Sequence, residues 1–146
     1  MTTGGGPEGV PRPGPNHTFG ASLRIALQGA WDVLRTERNA QIEATIGLLA
    51  VLLGLLLRIS PVEWAVLCGL IFTVLALEAL NTAIEAAVDL ITEDHHPLAR
   101  RAKDAAAGAV VLLALGSLGV GAAIFLPRLW ALLGGIMNDF PAKSLF

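Results

Sequence analysis

The stretch Glu78-Ala-Leu-Asn-Thr-Ala-Ile-Glu-Ala-Ala-Val-Asp89 decides the fold of this 146-residue chain. At about 100° per residue, positions 78, 81, 82, 85 and 89 fall on one stripe of a helix, so carboxylates and an amide share a face. The stretch continues the apolar run from Trp64 to Leu77 without a break. Such a run is typical of a membrane helix, and the polar stripe is therefore predicted to extend from the membrane surface into the lipid.

Carboxylates at this depth indicate a functional site. A charged side chain at the centre of a bilayer costs about 2.5 to 3.5 kcal/mol on insertion scales, so a role in function is the first hypothesis. The alternative is a structural role, in which Glu78, Asn81 and Glu85 only bind neighbouring helices. That role needs one or two polar groups rather than a row of acids, and it suits Thr82 best.

Composition indicates that most of the chain lies in a membrane. Apolar residues make up 54% of it and charged residues 15%, and the mean hydropathy is +0.66. The apolar residues cluster in Ile42 to Leu57, Trp64 to Leu77 and Ala105 to Leu126. Each run is close to the roughly 20 residues that a helix needs to cross a bilayer. We predict an all-α integral membrane protein with three transmembrane helices at about 40–59, 62–92 and 103–127, the last ending at Pro127.

The regions outside these spans have different patterns. Residues 1–16 are rich in Gly and Pro and lack the apolar segment of a signal peptide, which predicts a disordered tail. Residues 18–38 place Phe19, Leu23 and Trp31 at helical spacing with charged residues on other faces. This pattern predicts an amphipathic helix on the membrane surface. The folded domain is expected to cover residues 17–130, with residues 131–146 as a C-terminal tail.

Charge placement predicts the orientation in the membrane. The net charge is −2 and no basic stripe is present, which argues against nucleic-acid binding. Basic residues precede the first span and lie between the second and third, at Arg100, Arg101 and Lys103. By the positive-inside rule, the N-terminus and the 93–104 loop are expected on the cytoplasmic side of the cell membrane.

The acids and bases near this surface fit a bound nucleotide. Magnesium carried by ATP usually takes one or two protein carboxylates, which Glu37 and Glu85 could supply. Lys103 could meet phosphate oxygens as a point charge. Glu78 is placed deepest, where it could act as the base for a lipid hydroxyl. The sequence has no phosphate-binding loop of the GxxxxGK[ST] type.

Three motifs together resemble the prokaryotic diacylglycerol kinase family, which includes undecaprenol kinases. They are the polar row from Glu78 to Asp89, Ala102-Lys103-Asp104, and Glu37-Arg38-Asn39. The resemblance covers about residues 19–126. It implies a lipid kinase that transfers the γ-phosphoryl group of Mg-ATP to a membrane lipid alcohol. It also implies a homotrimer with active sites at the subunit boundaries.

The resemblance implies a role for each matching residue. Glu78 is the general base for the lipid hydroxyl, and Glu37 and Glu85 hold the magnesium ion. Asn81 orients as a hydrogen-bond donor, and Asp89 is the acid at the base of the stripe. The residues implied to contact ATP are Glu37, Glu85, Asp94, His96, Lys103, Asp104 and, from the surface helix, Arg24.

The acceptor lipid and two other function classes stay open at this point. Glu37-Arg-Asn39 and His96-Pro-Leu-Ala99 resemble the undecaprenol kinase branch, whereas Glu43 stands where the diacylglycerol kinase branch has an acid. Both lipids offer a primary hydroxyl at the interface. A small proton-coupled transporter would also use Glu78, but it would not need Glu37 and Lys103 together at the cytoplasmic rim. A non-enzymatic membrane assembly subunit would need none of these groups.

Overall fold

A computed structural model describes residues 18–92 and 95–139, with side-chain surroundings through residue 134. The described part contains four helices, in the order α1 (Phe19–Thr36), α2 (Arg38–Leu56), α3 (Pro61–Ile91) and α4 (Pro97–Asp139). α3 packs against α4 and α2, and α1 contacts both α2 and α3. The predictions made for residues 1–16, for Asp94 and for residues 140–146 lie outside the described residues.

Three of the described helices are long and apolar enough to cross a membrane, namely α2, α3 and the 97–134 part of α4. This confirms the predicted all-helical chain with three helices of transmembrane length. α3 has 31 residues, which at the helical rise is about 46 Å. It is therefore longer than the roughly 30 Å hydrocarbon core, and the excess leaves room for its polar last turns at the membrane surface.

The first two helices are separated by a single residue. Thr18 caps α1, because its side-chain oxygen accepts a hydrogen bond from the Ala21 N–H. α1 ends at Thr36 and α2 begins at Arg38, so Glu37 alone joins them in an extended conformation. The helix predicted through residue 38 therefore ends at Thr36, and the polypeptide changes direction at Glu37.

The turn between α2 and α3 carries clear local signals. Arg58 adopts a positive φ of 50°, which lets the chain reverse. Ser60 and Glu63 then form a capping box, in which the Glu63 N–H donates to Ser60 Oγ and the Ser60 N–H donates to Glu63 Oε2. Pro61 lies in the first turn of α3, where a helix needs no N–H from it.

The sequence analysis predicted that the third span ends at Pro127. This prediction is wrong, because α4 continues through Pro127 to Asp139. Proline lacks an N–H, and its ring crowds the carbonyl one turn earlier. In a membrane helix a side chain can satisfy the backbone near such a site. Here Pro127 has no N–H to donate to the carbonyl of Ala123, and Arg128 Nη1 donates to the neighbouring carbonyl of Ile124 at 2.8 Å. The helix also begins at Pro97, before the predicted start of the third span.

The buried core is small and lies near the turn between α2 and α3. It consists of Ile59, Leu67, Ile124 and Phe125. Many other large apolar side chains of the described spans are exposed in the single chain, among them Phe72. Such exposed side chains are expected where a helix meets lipid or another membrane helix.

Candidate active site

Glu78 and Asn81 are the buried polar residues of the described chain, with 3% and 7% of their surface exposed. Both line a cavity of about 270 Å³. α2 contributes Asn39 and Glu43 to this cavity, and its other wall is formed by small and branched apolar residues of α4 such as Val110. The deep end of the polar stripe on α3 thus faces a cavity between three helices.

The stripe becomes more exposed along α3. Thr82 and Glu85 are half-buried, and Asp89 is exposed. The Asn81 side chain Nδ2 donates to Glu85 Oε1 at 2.9 Å, whereas Asn81 Oδ1 is buried without a hydrogen-bond partner among the described residues. A buried acceptor without a donor is costly, and it marks a place where a bound hydroxyl could donate.

Glu37 lies at the joint between α1 and α2, two residues before Asn39 of the cavity wall. The charges of Glu37 and Glu85 both act on the Glu78 carboxylate, which also faces the side chain of Asn39. Glu37 occupies the N-cap position of α2, but its carboxylate makes no capping hydrogen bond. Glu85 lies beside the cavity through its hydrogen bond with Asn81, and Glu37 lies near enough for its charge to act on that of Glu78.

Lys103 lies near the exposed end of the stripe. Its Nζ forms an ion pair with Asp89 Oδ1 across α3 and α4. Asp104 is exposed and pairs with Arg100 at 3.5 Å within α4. The resemblance implied that both residues contact ATP. In the single chain Lys103 pairs with Asp89 and Asp104 with Arg100, and their assignment to ATP stays a prediction.

Two further residues assigned to ATP lie outside this cluster. His96 Nδ1 accepts a hydrogen bond from the Leu98 N–H at 3.2 Å, so its side chain caps the start of α4. Arg24 is exposed on α1. Asp94 lies outside the described residues, and its assignment stays a prediction.

The carboxylates suit a magnesium ion that arrives with a nucleotide. Magnesium prefers hard oxygen ligands and usually keeps water and phosphate oxygens besides one or two carboxylates. Among the described residues, no three His, Cys, Asp or Glu side chains are placed to hold a metal ion by themselves. Glu37 and Glu85 fit such an ion only if phosphate oxygens complete its coordination.

Glu43 is a residue of this site to which sequence reasoning assigned no role. It is half-buried on α2, its charge acts on that of Glu78, and its Oε2 has no partner among the described residues. It lines the polar cavity and also an apolar groove of about 510 Å³ that runs between α2, α3 and α4. The available signal was an acid inside the otherwise apolar run of residues 42–57.

The sequence of this chain is similar to those of known proteins. The sequence model of the prokaryotic diacylglycerol kinases matches residues 24–125. An undecaprenol kinase of Bacillus subtilis is 50% identical over 111 residues, which are 76% of this chain and 90% of that protein. A diacylglycerol kinase of Synechocystis is 39% identical over 113 residues, or 77% of this chain and 65% of that protein.

A more distant relative is also named diacylglycerol kinase. The diacylglycerol kinase of Escherichia coli K12 is 34% identical over 102 residues, which are 66% of this chain and 84% of that protein. The matched region contains α2, α3 and the residues of the carboxylate cluster. This chain belongs to the prokaryotic diacylglycerol kinase family, a family of lipid kinases.

Proposed function

We propose that this protein transfers the γ-phosphoryl group of Mg-ATP to the hydroxyl of a membrane lipid alcohol. The observation that carries the proposal is the burial of Glu78 in a polar cavity that meets an apolar groove at Glu43. A lipid alcohol needs such a junction, because its chain is apolar and its reacting end is polar. Carboxylates and a lysine at the same end of α3 suit the phosphates of ATP.

Glu78 is proposed as the general base. It takes the proton of the lipid hydroxyl while the hydroxyl oxygen forms a bond to the γ-phosphorus and the bond from that phosphorus to ADP breaks. Asn81 orients the site, since its amide holds Glu85 and its free Oδ1 can accept from the lipid hydroxyl before transfer. The apolar wall from α4 limits water, which would otherwise compete as the acceptor.

The remaining charged residues are proposed to hold the nucleotide. Glu37 and Glu85 bind the magnesium ion, which neutralises phosphate charge when bound. Lys103 contacts phosphate oxygens, and Asp89 keeps its ammonium group in place beforehand. The remaining ATP contacts come from Asp104, Asp94, His96 and Arg24. In-line phosphoryl transfer mainly requires such positioning and charge neutralisation.

We infer undecaprenol as the preferred acceptor. The relative named undecaprenol kinase is 50% identical to this chain, whereas the Escherichia coli diacylglycerol kinase is 34% identical. The groove next to Glu43 is lined mostly by aliphatic side chains, including Leu53 and Val74. That lining suits an isoprenoid chain, which has no ester groups to satisfy. Diacylglycerol is the other acceptor to test.

The protein is proposed to act as a homotrimer in the cell membrane. The domain covers residues 17–130, and the N-terminus and residues 93–104, which include the first turns of α4, face the cytoplasm, where ATP is available. α1 lies as an amphipathic helix on that surface, with Phe19 and Trp31, both exposed in the single chain, turned toward the lipid. Exposed apolar faces on the three spans are available for subunit contacts.

The decisive experiment is transfer of labelled phosphate from ATP in mixed micelles. Undecaprenol and diacylglycerol are offered in parallel to the full-length protein and to Glu78→Gln. We expect label in the lipid with the unchanged protein, more with undecaprenol, and loss of at least about 100-fold in the variant. Absence of label in both lipids would contradict the proposed kinase activity, and equal labelling by Glu78→Gln would contradict its role as base.

A further inference from the structure

Gln41 connects the two helices that meet at Glu37. Its side-chain Nε2 donates to the backbone carbonyl of Arg35, in the last turn of α1, at 2.9 Å. Its backbone N–H donates to the carbonyl of Glu37 at 3.1 Å, in the first turn of α2. The side chain of Gln41 therefore links α2 to the last turn of α1 across Glu37.

Glu37 has little else to fix its direction. Glutamate is not among the residues that cap helices well, and its carboxylate makes no cap bond here. Its Oε1 lies 3.5 Å from Thr36 Oγ1, but the single hydrogen of that hydroxyl is donated at 2.9 Å to the carbonyl of Asp32. Its backbone is extended, with φ −90° and ψ 119°. The point from which its side chain extends thus follows from the angle between α1 and α2.

The end of α1 shows which contact sets that angle. The last carbonyls of a helix have no partner within it and are satisfied from elsewhere. The carbonyl of Asp32 accepts from Thr36 Oγ1, and that of Val33 accepts from the Glu37 N–H. Both of these bonds stay within α1 and its cap. The bond from Gln41 to Arg35 is the one of the three that reaches across the joint.

We propose that Gln41 is a positioning residue, which holds the joint between α1 and α2 so that Glu37 stays on the side of the joint where its charge acts on Glu78. It acts through the backbone of the joint rather than on the metal ion. The proposal rests on the proposed function, because it takes Glu37 to be a magnesium ligand. The sequence alone contained no sign of it, since Gln41 belongs to none of the motifs.

The test is metal binding without turnover. Mn²⁺ replaces Mg²⁺ as a paramagnetic probe, and free Mn²⁺ is measured by electron paramagnetic resonance on the detergent-solubilised full chain with a non-hydrolysable ATP analogue. Gln41→Ala and Gln41→Glu both remove the donor. The two variants differ in charge, because Gln41→Glu adds a carboxylate, which by itself would attract the cation. Weaker binding in both variants is therefore not an effect of charge. The matched controls are Gln28→Ala and Gln28→Glu, at an exposed position of α1.

We expect both Gln41 variants to weaken Mn²⁺ binding by about 10-fold, as is usual when a group that orients a metal ligand is lost. Both Gln28 variants should stay within about twofold, and thermal midpoints should not differ. Unchanged binding in either Gln41 variant, or equal weakening in the Gln28 variants, would overturn the proposal.

A separate variant tests the proposed metal site. It is Glu37→Gln that tests the metal site itself, because this variant removes the ligand charge while Gln41 stays in place. If Glu37→Gln binds Mn²⁺ as the unchanged protein does, the ligand assignment is wrong. If Glu37→Gln weakens binding and the Gln41 variants do not, only the positioning role is wrong.

Discussion

The amide of Asn81 donates a hydrogen bond to Glu85 Oε1 at 2.9 Å, one turn further along α3, and leaves its own oxygen buried and unpaired within the described chain. One side chain thus orients a proposed metal ligand and presents an acceptor to the cavity. A substitution that keeps the volume but removes both polar atoms separates this polar role from packing.

Asn81→Leu is expected to lower kcat by about 10- to 100-fold, because Glu85 loses the group that orients it. The half-saturating magnesium concentration should rise in parallel. The measurement is steady-state phosphoryl transfer at several magnesium concentrations.

Thr82→Val is the control for this prediction. The Thr82 hydroxyl bonds to the carbonyl of Glu78 within α3, at 3.1 Å, so its loss leaves the orientation of Glu85 unchanged. Its kinetics should stay close to those of the unchanged protein. Wild-type rates and metal dependence in Asn81→Leu would show that the amide has no part in the reaction.

Lys103 and Asp89 form the second testable pair. Lys103→Met should reduce kcat/KM for ATP by about 10- to 100-fold, the usual loss when a charged hydrogen bond to phosphate is removed. Asp89→Asn should have a smaller effect that is confined to KM, because the lysine remains but is no longer held in place. Initial rates at varied ATP concentration give both constants.

The control for Lys103 is a neighbouring exposed cation on the same helix. Arg101→Met removes one positive charge from α4 without touching the ion pair to Asp89. A comparable loss in Arg101→Met would mean that general surface charge, rather than a specific contact, attracts ATP.

Glu63 and Arg128 join α3 to α4 at the end opposite the carboxylate cluster. Arg128 donates from Nη1 and Nη2 to the two carboxylate oxygens, each at 2.7 Å. Arg128→Met should therefore lower the thermal midpoint in detergent by several degrees and leave the KM for ATP unchanged, since the cluster is remote. Arg128 also donates a hydrogen bond to the carbonyl of Ile124, and the loss of this bond adds to the fall in the thermal midpoint.

A double-mutant cycle isolates the ion pair from these other contacts. Glu63→Gln, Arg128→Met and the double variant are compared by thermal unfolding under one set of conditions. We expect the double variant to lose less stability than the sum of the two single variants. Strict additivity would show that the two side chains do not stabilise each other.

Gly54 allows α2 to approach the turn before α3. A Cβ at this position would lie 3.0 Å from Trp64 Cη2 and 3.1 Å from Ile59 Cδ1, which is closer than ordinary contact. Gly54→Ala should therefore destabilise the protein by about 1 to 3 kcal/mol through overpacking. Equilibrium unfolding in mixed micelles measures the change.

Gly29 offers the opposite case on α1, because a Cβ there meets nothing within 4 Å. Gly29→Ala should be neutral or stabilise the helix by up to about 1 kcal/mol, owing to the higher helix propensity of alanine. Equal destabilisation by both substitutions would contradict the packing explanation for Gly54.

The sequence by itself determined the three membrane-length helices, the polar face of α3 and the family. Each follows from local regularities: a helix repeats every 3.6 residues, and a span needs a minimum apolar length. Glu78, Asn81 and Glu85 could therefore be placed on one face from their spacing alone.

Tertiary structure alone decided which residues of different helices meet. It places Glu43 beside Glu78, pairs Lys103 with Asp89 rather than with a neighbour on its own helix, and sets Gln41 across the joint from Arg35. It also carries α4 past Pro127, with Arg128 bonded to Ile124 and to Glu63 of another helix. The physical reason is that periodicity specifies the faces of one helix, whereas contacts between helices depend on their mutual rotation, register and crossing angle, which packing of all the side chains sets together.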